Sequence, residues 1–176
     1  SEKTVKTYGR YVKECEGNDR WEDLAEVWAT MKQAIHRGLD EEGVRPGPLN
    51  LRRKAATYYI RATGYKQSLR YRGLIFAYVL AVSEENASGG KIVTAPTCGP
   101  CGVITAVLYH LQTSREFSDT RLPPSLAPAC LVGTMVKYYA SISGAELGCQ
   151  ADVGVALVMA SSAVTHLLGG SPSQFE

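Results

Sequence analysis

From Trp21 onward, apolar side chains return at the three- and four-residue steps of a helix and almost never alternate as a strand would. Trp21, Leu24, Trp28, Met31 and Ile35 form one such stripe. Asp19 as N-cap and Glu22 three residues on make a capping box at its start. Gly38 is the expected C′ stop, with His36 and Arg37 near the negative end of the helix dipole. The stripe reads as core rather than as an aromatic cofactor box, and His36 as a cap rather than a ligand. Ahead of it, Ser1 to Glu16 is polar, with Val5, Tyr8, Val12 and Cys15 on one possible helix face.

The pattern continues after a rigid turn at Arg45-Pro46-Gly47-Pro48. Asn50 is placed to cap a helix from Leu51 to about Thr63, which Gly64 ends. A longer helix is expected from about Ser68 to Val82, through Leu74, Tyr78 and Val82 with Ile75 and Val79 beside them. Gly73 inside it costs some helix propensity and suggests close packing. Ser83 to Gly90 reads as a polar exit, and Lys91 to Pro96 as a loop or a single strand. Thr97 or Cys98 caps the next helix, with Pro100 in its first turn. Its buried face is Val103, Ile104, Val107, Leu108 and Leu111.

Thr113 to Pro124 is a polar connection to a helix from about Leu126 to Tyr139, buried through Leu131, Val132, Met135, Val136 and Tyr139. Val153 to Leu168 is an almost unbroken apolar run. Counted from Leu147 it is long enough to cross a membrane, yet it holds Asp152 and His166 and is rich in alanine and serine. A buried helix in a soluble protein fits better, with His166 capping carbonyls near its end. Gly169 stops it, and Ser171-Pro172-Ser173-Gln174 has the N-cap, N1 and N3 residues of a further helix. The chain ends at Glu176, so a fragment of a longer protein is expected. With no internal repeat, the reading is all-α, one compact multi-helix domain over residues 1–176 without significant sheet.

Composition removes several function classes. A formal net charge of +2 gives no reason to expect nucleic acid. The one basic cluster, Arg52-Arg53-Lys54, reads as a solvated helix face. Five cysteines, an odd number without a signal segment, suggest a reducing compartment and hence the cytoplasm.

Candidate chemistry gathers in Ser141 to Gly154, where Cys149 lies among Gly144, Gly148 and Gly154 with Glu146 and Asp152 on either side. A cysteine near a helix N-terminus has its pKa lowered toward the thiolate that a metal needs. It can equally be a small buried hydrophobe in a tight turn. Cys98-Gly99-Pro100-Cys101 is a rival motif, open to a thiol–disulfide, a metal-binding or a packing reading. A thioredoxin-type site would follow a strand, which is missing here, and zinc would need two further ligands.

Two long stretches nevertheless carry a specific resemblance. Glu84-Glu85-Asn86-Ala87-Ser88-Gly89-Gly90-Lys91-Ile92-Val93-Thr94-Ala95-Pro96-Thr97 and Ser141–Gly154 together resemble the alpha domain of iron–sulfur L-serine dehydratases. Arg37-Gly38-Leu39, Glu42 to Leu49 and Leu168 to Pro172 extend the likeness over most of the chain after Trp21. The resemblance implies a [4Fe–4S] cluster on three cysteines, no pyridoxal phosphate, and β-elimination of L-serine to pyruvate and ammonia. The open iron would act as Lewis acid on the serine hydroxyl.

Cys149 matches one cluster ligand, and the other two belong to a later region absent from this sequence. The chain alone is therefore expected to be inactive and metal-free. Where the family has Gln-Gly-Glu-Val-Gly, this chain has Gln150-Ala151-Asp152-Val153-Gly154, with a carboxylate one methylene shorter. In many relatives the position of Cys98 is asparagine. Thr94, Thr97, Ser141, Ser143, Gly144 and Glu146 are the expected substrate-binding residues, and the general base is not identified. A beta domain or subunit and a homo-oligomer are the implied partners, in amino-acid catabolism feeding gluconeogenesis.

Overall fold

The computed structural model describes residues 19–94, 96–140, 144–171 and 174, without the side chains of residues 19, 20, 144–147 and 149. The expectations for Ser1 to Glu16 and the capping role of Asp19 lie outside the described residues. Among the described residues the chain forms α1 (Asp19–Asp40), α2 (Ala55–Thr63), α3 (Gln67–Ala87), α4 (Cys98–Arg115), a 3₁₀ turn (Asp119–Arg121), α5 (Leu122–Tyr139) and α6 (Gly144–Leu167). The β pairing recorded among them is an isolated antiparallel bridge between Val44 and Arg52. The all-α reading holds.

Two apolar clusters organise these helices. Trp28 and Met31 of α1, Ile104 and Leu108 of α4, Leu122 and Leu126 of α5 and Met159 and Leu167 of α6 share the larger one. Ala34 and Ile35 of α1, Tyr78 and Val82 of α3 and Ala106 of α4 make the other. The expected stripes of α1 and α4 thus meet face to face.

Several expected boundaries move, each for a tertiary reason. Gly38 does not stop α1, which runs on to Asp40. A Cβ there would lie 2.3 Å from the Ala81 carbonyl oxygen, so the glycine lets α1 and α3 touch backbone to backbone. His36, carried inside the longer helix, hydrogen-bonds the Tyr109 hydroxyl at 2.8 Å instead of capping. Gly73 does permit close packing, since a Cβ would meet that of Ala62 at 2.9 Å.

The second helix starts at Ala55, not Leu51, because Asn50 takes a left-handed turn conformation (φ 48°) within the loop that Arg45 N–H to Leu51 O and Arg53 N–H to Gly43 O hold closed. Arg52, Arg53 and Lys54 therefore do not form a solvated helix face. α3 continues through the supposed polar exit to Ala87. α5 begins at Leu122, ahead of the expected Leu126, because Pro123 and Pro124 fall in a first turn whose N–H groups need no helical partner.

Burial also differs at the far end. Met135 and Tyr139, expected in the core, are exposed, Tyr139 to 80%. α6 buries Ala156, Met159, Ala160, Ala163 and Leu167 on one side and leaves Val153, Leu157 and Val158 exposed on the other. Its apolar run is thus half-covered, not enclosed. Gly169 ends it as expected (φ 81°), and Gln174 Oε1 accepts the Ser171 N–H at 2.8 Å, the reciprocal arm of a capping box. His166 makes no recorded cap; the Gly169 and Gly170 N–H groups bond the His166 and Thr165 carbonyls.

Candidate active site

Two helix starts converge on one carboxylate. Thr97 is the N-cap residue of α4 in extended conformation, yet its side chain does not cap that helix. Its hydroxyl donates instead to Asp152 Oδ1 at 2.8 Å, across fifty-five residues of sequence. A Cβ added at Gly99 would sit 3.7 Å from the Asp152 Cβ, so the second residue of α4 lies against the same side chain. Gly148 breaks α6 with φ 71° and ψ 175°, and the helix resumes at Cys149. Asp152 is therefore in the opening turn of one helix and beside the opening turn of another. Both dipoles favour a negative charge at that point.

The segment leading to Thr97 is anchored at its other end by buried ions. Glu84 and Glu85, each 3% exposed, sit in the last turn of α3. Glu84 accepts the N–H groups of Lys54 (2.8 Å) and Ala55 (3.3 Å), which makes it the cap of α2. Glu85 receives Arg37 Nε at 2.9 Å and Arg53 Nη1 at 3.2 Å. Arg53, itself buried, also donates to Ser88 Oγ at 2.9 Å and pairs with Glu41. Arg37 donates on to the Lys91 carbonyl. A Cβ at Gly90 would lie 2.5 Å from Glu85 Oε2, which explains the glycine. Glu84-Glu85 to Lys91 is thus a fastening that ties α1, the 43–53 loop and α3 to the chain running into α4.

The family model for the serine dehydratase alpha chain matches residues 2–176. The chain belongs to that family. It is 44% identical over 156 residues to L-serine dehydratase TdcG of Escherichia coli (strain K12), covering 86% of this chain and 34% of the relative. Against L-serine dehydratase of Streptomyces coelicolor the identity is 43% over 158 residues, covering 88% of this chain and 34% of the relative. L-serine dehydratase of Haemophilus influenzae gives 43% over 157 residues, with 86% and 34% covered. The chain spans about a third of the length of these curated relatives.

The two stretches that resemble the family are the two that the Thr97–Asp152 bond joins. Of the expected substrate-binding residues, Thr94 is exposed in the loop before α4 and Thr97 is half-buried at its cap. Ser141 and Ser143 lie outside the described residues. Gly144, Glu146 and Cys149 have backbone positions in α6, and their side chains lie outside the description. The C-x-x-C pair divides between two surroundings. Cys98 is exposed, its thiol 3.6 Å from Asn86 Oδ1, while Cys101 is buried in the larger core cluster. Among the described residues no group of three or more His, Cys, Asp or Glu could hold a metal.

Sequence reasoning missed the fastening and the Asp152 link. Its signals were present as two adjacent carboxylates on a helix and a carboxylate three residues after Cys149, but neither names its partner. No helix among the described residues is long and apolar enough to cross a membrane.

Proposed function

We propose that this chain is part of the catalytic domain of an L-serine dehydratase that deaminates L-serine to pyruvate and ammonia, in the cytoplasm and with a [4Fe–4S] cluster. The observation that carries the reading is the Thr97–Asp152 hydrogen bond, because it brings the two motif stretches to one point. Cys149 fits one position of a thiolate-held cluster: it stands where α6 resumes, and a helix start favours the thiolate. The remaining thiolates would come from outside the described residues. When bound, the cluster supplies a Lewis acid that makes the serine hydroxyl a better leaving group.

The chain's own groups then have separable tasks. N–H groups in the first turn of α4 suit the substrate carboxylate. Thr97 has committed its proton to Asp152, so its oxygen is left as an acceptor that suits the substrate ammonium. The negative charge of Asp152 works in the same sense. Thr94, Ser141, Ser143, Gly144 and Glu146 complete the proposed pocket, a beta domain or subunit is the proposed partner, and the enzyme is a homo-oligomer.

The test is anaerobic purification of the longest protein that contains this chain, followed by iron and sulfide analysis and a pyruvate-release assay on L-serine. Stoichiometric iron and sulfide with serine-dependent pyruvate are expected, both lost in Cys149→Ser. Pyruvate release undiminished by that substitution would refute the role given to Cys149. The 176-residue chain alone is expected to release none.

A further inference from the structure

A cavity lies toward the other end of α4, roughly 16 Å along the helix axis from Gly99 at 1.5 Å per residue. Its volume is about 510 Å³, and residues of α2, α3 and α4 wall it. That is within the range of small-molecule sites. Tyr71 and His110 meet edge to face with ring centroids 4.5 Å apart, and Tyr78 and Tyr109 do so at 4.9 Å. Flat aromatic surfaces therefore dominate the walls. Around them stand the hydroxyls of Thr63, Thr113 and Ser114.

The charge in this cavity is one-sided. Arg70 is on its lining, no aspartate or glutamate is, and Arg70 makes no ion pair among the described residues. His110, 5% exposed, forms part of the wall, and its Nδ1 is buried without a hydrogen-bond partner. Burial pushes the Tyr78 phenol up to about 12, so it stays a neutral donor.

We propose that this cavity binds a small organic anion with a flat ring, its carboxylate on Arg70 and its ring against Tyr71 and Tyr78. Nothing in this assignment depends on the serine-deaminating reading, since no residue is shared with the Thr97–Asp152 site.

Titration calorimetry of the purified protein with benzoate, and with benzamide as its neutral counterpart, tests it. One-to-one saturable binding of benzoate is expected, with benzamide about tenfold weaker, the loss typical of one charge-assisted hydrogen bond. Arg70→Gln should remove the preference for benzoate, and Tyr71→Ala should weaken both probes. Both side chains are exposed, so neither change threatens folding. Absence of saturable benzoate binding, equal affinity for the two probes, or variants that bind as the parent does would each overturn the proposal. Pyruvate release, measured alongside, reports separately on the serine reading.

Discussion

Replacing Gly38 by alanine distinguishes a helix stop from a helix contact by the sign of a single measurement. Within a helix, Gly→Ala normally stabilises by about 1 kcal/mol, because glycine loses more backbone freedom on folding. At Gly38 the new Cβ would lie 2.3, 2.7 and 2.8 Å from the O, C and Cα atoms of Ala81, against 3.4 Å or more for an ordinary contact. All three atoms are backbone, so no side chain can swing away. α1 and α3 must separate by roughly 1 Å in an interior packed as densely as an organic crystal. A gap of that size forfeits a quarter to a half of each dispersion contact along the seam, which includes Ile35 and Tyr78.

Overpacking of this kind costs about 3 kcal/mol at its upper end, and after the propensity gain the net loss is about 2 kcal/mol. Gly154→Ala is the control, since a Cβ there meets nothing within 4 Å. It should stabilise by about 0.5–1 kcal/mol. Urea unfolding of the two variants and the parent measures both. A Gly38→Ala protein as stable as the parent, or more so, would refute the backbone contact and return Gly38 to the status of a stop signal.

The other outcomes follow from the polar contacts. Glu84→Ala removes the carboxylate that accepts the first N–H groups of α2 and should cost about 1–3 kcal/mol by urea unfolding, with protease nicking near residue 54. Glu85→Leu leaves the buried Arg53 and the half-buried Arg37 without their shared acceptor, a loss of about 3 kcal/mol or more by the same assay. Thr97→Val keeps the shape and deletes the bond to Asp152; about 1 kcal/mol of stability should go, together with most serine turnover in a pyruvate assay. Burial holds the His110 imidazole below its usual pKa, so the unfolded chain binds more protons just below the ordinary histidine value of 6.5. The contribution is present above that pH and is lost as pH falls through the depressed folded value, and a urea midpoint that drops from pH 7.5 to 5.5 in the parent should drop less in His110→Phe.

What could be read from residue order was the repeating content of each helix; what could not was the identity of long-range partners. Trp28, Met31 and Ile35 on α1 and Ile104, Leu108 and Leu111 on α4 are buried as their spacing demands, because a stripe points one way whatever it meets. Glycine at position 38 has two physical uses, ending a helix or admitting a neighbour, and only the position of Ala81 decides between them. Asn50 can cap a helix or occupy a left-handed turn; the cap of α2 instead comes from Glu84, thirty residues away. Ser83 to Gly90 reads as a polar exit because its composition is polar, yet Glu85 is buried against arginines from two other segments and Glu84 against the N–H groups that open α2. The run after Asp152 carries apolar residues on every side, so periodicity could not say that one side alone would be covered.

These failures share a cause that bears on the site itself. A buried carboxylate is tolerated where cations and N–H groups surround it, and breaking such a set is far costlier than never forming it. Glu85 fixes the beginning of the connection into α4 through Arg37, Arg53 and the close approach of Gly90, while Asp152 fixes its end through Thr97. Thr94 lies between two held points, neither of which touches it. Its position is therefore set by ion pairs at one end and by a single neutral-donor bond at the other. The weaker of the two is the one nearest the proposed chemistry, so displacement of Thr97 should propagate to Thr94 more readily than any change at α3. That ordering follows from the energetics of the two anchors, and it makes Asp152 the residue on which the position of Thr97 most depends.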